Sequence, residues 1–131
     1  MTERRHSNHA RIAILEQLGP REDPALPWAT FGGDRTDAYT FSVPTAEAAD
    51  AYIQLQLYDV DTYGHEILLN GDPLDGFDLP PADGWQHWMD TIDGPALVEG
   101  ENTVRISRDT EDRDSFAVGA VVVTWTEPVE S

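Results

Sequence analysis

Strict alternation of apolar and polar side chains over residues 51–60 limits this chain more than any other feature. Ile53, Leu55 and Leu57 interleave with Tyr52, Gln54, Gln56 and Tyr58. A two-residue period lines the aliphatic set along one face of an extended strand and sends the glutamines to the other, toward solvent or a partner. The same period returns in Tyr39, Phe41 and Val43, which Pro44 stops, and in Val104 and Ile106 within 103–108. Residues 65–69 and 85–92 also read as strands. Residues 10–18 fit two periods, Ile12 with Ile14 as in a strand and Ile14 with Leu18 as in a helix, and the strand is the favoured reading.

Turn chemistry separates these runs. Gly19-Pro20, Pro24 and Pro27 bar regular structure, residues 30–34 read as a turn, Asn70-Gly71 is a tight-turn signal, and residues 109–114 form an acidic turn. Seven or eight short strands with almost no helix imply an all-β fold: an antiparallel two-sheet sandwich in a single domain over 10–127. Residues 1–9 are expected to be a mobile tail and 128–131 a frayed end.

The last strand, 115–126, is apolar on both sides. By simple alternation Phe116, Val118, Ala120 and Val122 share one face, and Val121, Val123 and Trp125 share the other. A sandwich covers only one face of a strand with its own core, so the second set is expected to form an interface with a protein partner or a second copy of the chain, anchored by Trp125. The alternative is that the Pro-rich segment 19–27 folds over the sheet and hides it.

Charge narrows the function classes. Eight basic residues, all arginine, face 25 acidic ones for a net charge of −17, and aspartate outnumbers glutamate 15 to 10. A nucleic acid or an anionic membrane surface meets no basic stripe here. Such like charge opposes compaction in dilute buffer and is screened at multimolar salt. The lysine-free, aspartate-rich composition resembles that of haloarchaeal cytoplasmic proteins. With no signal-peptide core and no span of about 20 apolar residues, a cytoplasmic location is the expectation. Cysteine is absent, which excludes disulfides.

Residues 52–125 also carry an ordered series of motifs. Ile53, Leu55 and Leu57 form an alternating strand, Ile67 to Gly71 is a strand ending in Asn-Gly, and Trp85 to Ile92 contains aromatic residues. Leu97-Val-Glu-Gly-Glu-Asn-Thr-Val-Arg-Ile106 and the long strand from Phe116 to Trp125 complete it. This series resembles the galactose-binding-domain-like jelly rolls of carbohydrate-binding modules. The resemblance implies the fold and a binding role, and it brings no catalytic residue. In its turn, Gly100 supplies an unusual backbone angle and Asn102 closes the loop through its side chain.

Candidate chemistry is sparse. No nucleophile elbow, phosphate-cradling glycine loop or dinucleotide fingerprint is present, and with 25 acids any carboxylate pair, such as Asp61 with Glu66, is uninformative, so an enzyme is not expected. His6 and His9 have a spacing that suits a transition metal but read as solvated residues. The run Asp109, Glu111, Asp112 and Asp114 fails the EF-hand pattern, with Asp114 in place of the sixth-position glycine and Ala120 in place of the bidentate glutamate. A structural calcium is left without a full motif, and no cofactor or metal is expected. The ligand-binding candidates are Trp85, His87 and Trp88, together with Tyr63 and His65: aromatic faces stack on sugar C–H surfaces while imidazoles and amides bond hydroxyls. Trp28 and Trp125 are assigned to the core. These readings converge on a non-catalytic binding or interaction module for a protein partner or polar ligand, with carbohydrate binding through the Trp85–Trp88 cluster as the alternative.

Overall fold

Each alternating run is a strand in the computed structural model, which describes residues 4–74, 80–92, 96–111 and 113–129. In chain order these are β1 (Arg5–Leu18), β2 (Thr30–Gly33), β3 (Tyr39–Val43), β4 (Ala49–Val60), β5 (Glu66–Leu69), β6 (Asp72–Pro73), β7 (Ala82–Thr91), β8 (Gly100–Ser107) and β9 (Phe116–Pro128). One sheet runs β2-β1-β9-β4-β7 and the other β3-β8-β5-β6. The pairs are antiparallel except β1 with β2, which are parallel. The expected all-β jelly-roll sandwich is the fold, with that single parallel edge added.

The core lies between the sheets. Ile53, Leu55 and Leu57 of β4 are fully buried, as are Val43 of β3, Ile67 of β5 and Val104 and Ile106 of β8. The β5–β6 turn has positive φ at both Asn70 (53°) and Gly71 (87°), the signature of a tight hairpin turn. Asn102 does close the turn before β8: its Oδ1 accepts the Val98 N–H at 2.9 Å, and its Nδ2 donates to Val98 O at 2.8 Å and Gly100 O at 3.1 Å.

Two expectations about the ends and turns give way. Residues 5–9 are no tail, because β1 pairs with β9 without a break from Arg5 opposite Pro128 to Ala13 opposite Ala120. Pro128 likewise ends a paired strand. A polar sequence gives no hint of such pairing, since backbone hydrogen bonds to a distant strand supply it. Residues 1–3, 130 and 131 lie outside the described residues. The turn read at 30–34 is instead the short strand β2, which adds to β1 through Glu16–Thr30 and Gln17–Phe31.

A larger correction concerns β9. Val121, Val123 and Trp125, expected at an interface, are 0%, 0% and 1% exposed and belong to the core together with Phe116 and Val118. Straight alternation cannot bury Val118 and Val121 on one side. A β-bulge does: between the pairs Leu57–Val118 and Leu55–Val121, β9 spends three steps where β4 spends two. The extra residue inverts the parity of everything after it. Trp125 then packs 6.4 Å from Phe41, centroid to centroid, and its Nε1–H donates to Glu127 at 3.0 Å. That bond, with weaker help from His6 and Asn8, holds the Glu127 carboxyl below the usual carboxylate range against the opposing effect of burial.

Arg108 bridges Asp34 at 2.8 Å, and eight arginines against 25 acids leave most of the acidic surface beyond the reach of pairing. Thermal stability is therefore expected to rise from dilute buffer to molar KCl, by about 3–5 °C for each kcal/mol that screening recovers. A melting temperature that calorimetry finds unchanged across that range would show that self-repulsion does not limit the fold.

Candidate functional site

The outward face of the five-stranded sheet is assembled from the polar halves of the alternating strands. On β4 it carries Tyr52, Gln54, Gln56 and Tyr58, and β7 sets Thr91, Met89, His87 and Trp85 directly opposite them. From β9 come Ala117, Ala120, Val122 and Thr124, and from β1 His9, Arg11 and Ala13. No aspartate or glutamate stands at any of these positions, although the chain has 25. Trp85 to Thr91 spans roughly 20 Å at the usual rise of a strand.

One end of this face is an aromatic wall. The Trp85 ring lies 5.2 Å from the rings of both Trp28 and Tyr58, and Trp28 meets Tyr58 edge-on at 6.3 Å. Trp85 is 55% exposed and Trp28 38%. Trp28 reaches the sheet because Gln17, itself buried, pins the Pro-rich segment beneath it. The Gln17 amide donates to the carbonyls of Asp23, Leu26 and Ala29 at 3.1 to 3.3 Å and accepts the Asp23 N–H at 2.6 Å. A side chain at Gly119 would meet the Trp85 ring and the Gln56 amide oxygen at 3.1 Å, so the missing Cβ lets the indole settle against the sheet.

Beyond the wall polar side chains alternate with apolar ones, among them Met89, Ala120 and Val122. A cavity of about 100 Å³ is lined by Arg11, Gln54, Gln56, His87, Ala120 and Val122. An open groove bounded by Tyr52, Gln54, Met89, Asp90 and Thr91 follows it toward the other end. The bulge in β9 shapes this middle section, because the Ala120 N–H donates to Gln56 Oε1 at 3.3 Å.

The five ligand-binding candidates from the sequence separate. Trp85 and His87 are on this face, whereas Trp88 points inward opposite Leu55 and packs on the core, as a two-residue period requires of positions three apart. Tyr63 is exposed, at 59%, in the loop between β4 and β5. His65 is a structural residue, 1% exposed. Its Nδ1 accepts the Asp109 N–H at 3.0 Å, its Nε2–H donates to Asp114 at 2.6 Å, and its ring lies 4.3 Å from Phe116. Trp28, assigned to the core, is instead part of the wall, while Trp125 is core as expected. Tyr58 and Arg11 were not singled out, and Gln54 and Gln56 were read only as facing solvent or a partner. The signal for the β4 residues was a carboxylate-free stretch over 51–58 in so acidic a chain.

The metal readings find no geometry. His6 and His9 sit three apart on a strand and so face opposite ways, and His6 Nε2 lies 3.1 Å from Glu127. Asp114 turns inward to His65, and Asp112 lies outside the described residues. Among the described residues no group of three or more metal-ligating side chains converges.

Several solved structures share this fold. The chain superposes with a TM-score of 0.55 and 11% identity on the CBM36-1 domain of a multidomain xylanase from the hindgut metagenome of Trinervitermes trinervoides, over 89% of this chain and 96% of that one. A family 35 carbohydrate-binding module from an environmental isolate gives 0.52 and 17%, over 74% and 71%. The isomalto-dextranase of Arthrobacter globiformis T6 gives 0.51 and 18% over 68% of this chain, which spans only 16% of that enzyme. At these identities the likeness is one of fold. No curated protein matches the chain. A family model does match residues 6–127, and the chain belongs to that family, a family of unknown function designated DUF7383.

Proposed function

We propose that the chain is a non-catalytic binding module that takes a carbohydrate on the outward face of its five-stranded sheet. The observation that carries this reading is the composition of that face: an exposed wall of Trp85, Trp28 and Tyr58, followed by Gln54, Gln56 and His87, with no carboxylate lining the cavity between them. Indole and phenol rings offer flat apolar surface to sugar C–H groups, while amides and imidazole bond hydroxyls in either sense. Two of the proteins that share the fold are, by name, carbohydrate-binding modules, which supports the reading without naming a sugar. His65 and Asp114, the close histidine–carboxylate pair, have fully buried side chains and so do not reach a substrate.

A glycan-array screen in molar KCl, followed by calorimetry on the sugars retained, tests this. Trp85→Ala is expected to weaken binding by about tenfold or more, the effect of truncating an aromatic anchor, while Tyr63→Ala, off the face, leaves it unchanged. Absence of any retained glycan, or equal losses in the two variants, would reject the site. A protein partner on the same face is the second reading, favoured by exposed Met89 and Phe31. It requires Met89→Asp to abolish a contact that Gln56→Ala leaves intact.

A further inference from the structure

We infer that the cavity beside Arg11 receives a carboxylate group, so that the saccharide held by this face is an acidic one containing uronate units. The inference rests on the binding reading above and adds the charge of the ligand. Among the described residues the Arg11 side chain makes no hydrogen bond or ion pair, in a chain whose acids outnumber its arginines by 25 to 8. No carboxylate lines the cavity that Arg11 borders, Asp90 standing in the groove beyond it.

A second donor is held in place beside it. Gln56 Oε1 is occupied by the Ala120 N–H, which leaves the amide N–H groups as the free end of that side chain in the cavity Arg11 lines. Guanidinium and amide donors together match a planar oxyanion, and the arginine fork suits a carboxylate in particular. The cavity, about 100 Å³, has room for a carboxylate. The aromatic wall and open groove on either side offer surface to the sugar rings. The net charge of −17 repels an anion at long range, but salt screens that repulsion while a contact pair in a cavity is screened much less.

Calorimetry at matched ionic strength decides, using trisaccharides of galacturonate, glucuronate and mannuronate, each as the free acid and as the neutral methyl ester. For at least one sugar the free acid is expected to bind about tenfold tighter than its ester, with Arg11→Gln erasing the difference, Arg11→Lys retaining part of it and Trp85→Ala weakening both forms. Equal binding of acid and ester, with Trp85→Ala still weakening both, overturns the charge assignment and leaves the binding face standing. Competition by inorganic sulfate as strong as that by acetate also overturns it, since the pocket then takes oxyanions without regard to shape. Failure of all six probes to bind overturns the uronate assignment, while the binding face itself is judged by the glycan array.

Discussion

Val123→Asp is expected to leave the chain without a cooperative unfolding transition at any salt concentration. Val123 is 0% exposed, paired with Ala10 of β1 on one side and Ile53 of β4 on the other, within the cluster that holds Trp125 and Val121. A carboxylate there has no partner. Kept ionised, it costs several kcal/mol in desolvation, and the lost valine burial adds about 1.5–3 kcal/mol. A domain of this kind has about 5–15 kcal/mol in total, and one carrying this much like charge is placed toward the low end in dilute buffer. The neighbouring Val122→Asp is the control. Val122 lies on the outward face, half-buried, and its variant is expected to fold. Straight alternation along β9 from Phe116 demands the reverse order of effects, so near-ultraviolet circular dichroism on the two variants reads out the bulge directly. A folded Val123→Asp would return this side chain to the surface and restore the interface reading.

Asp114→Ala carries the next largest effect, a loss of about 1–3 kcal/mol for each buried donor it leaves without an acceptor. Its carboxylate accepts from His65 Nε2 at 2.6 Å, from the Asp61 N–H at 3.0 Å and from the Thr62 N–H at 3.2 Å. Alanine leaves these donors to compete for partners where the histidine side chain has no access to water. The network ties the loop after β4 to the approach to β9, since His65 also accepts the Asp109 N–H. Asp114→Asn tests the chemistry apart from the shape: its NH₂ confronts further donors, and it too is expected to destabilise. Denaturant titration measures both. A loss below about 1 kcal/mol for each would show that the two loops hold without this carboxylate.

Much of the fold was legible in the sequence because its signals are local. Alternation in β4 gave both the strand and its buried face, since Ile53, Leu55 and Leu57 need no knowledge of their neighbours to declare a side. Asn70-Gly71, Gly100 and Asn102 carry their turn geometry in their own backbone preferences and side-chain bonds. The composition of the outward face was readable in part too, through Gln54 and Gln56.

What only the tertiary structure decided is register and assembly. In β9 both faces are apolar, so sequence period cannot betray the bulge at Gly119 and Ala120. The pairing with β4 imposes it and sends Val121, Val123 and Trp125 inward. Residues 5–9 are strand because β9 pairs with them, more than a hundred positions away. Trp28 joins Trp85 and Tyr58 because the Gln17 amide happens to match three carbonyls of the loop that carries it. The adjacent pair Trp85 and Trp88 suggested one site and is divided between the two sides of a strand. Residues local in sequence set the strands and turns, while the binding face was put together by hydrogen bonds between segments that the sequence holds far apart.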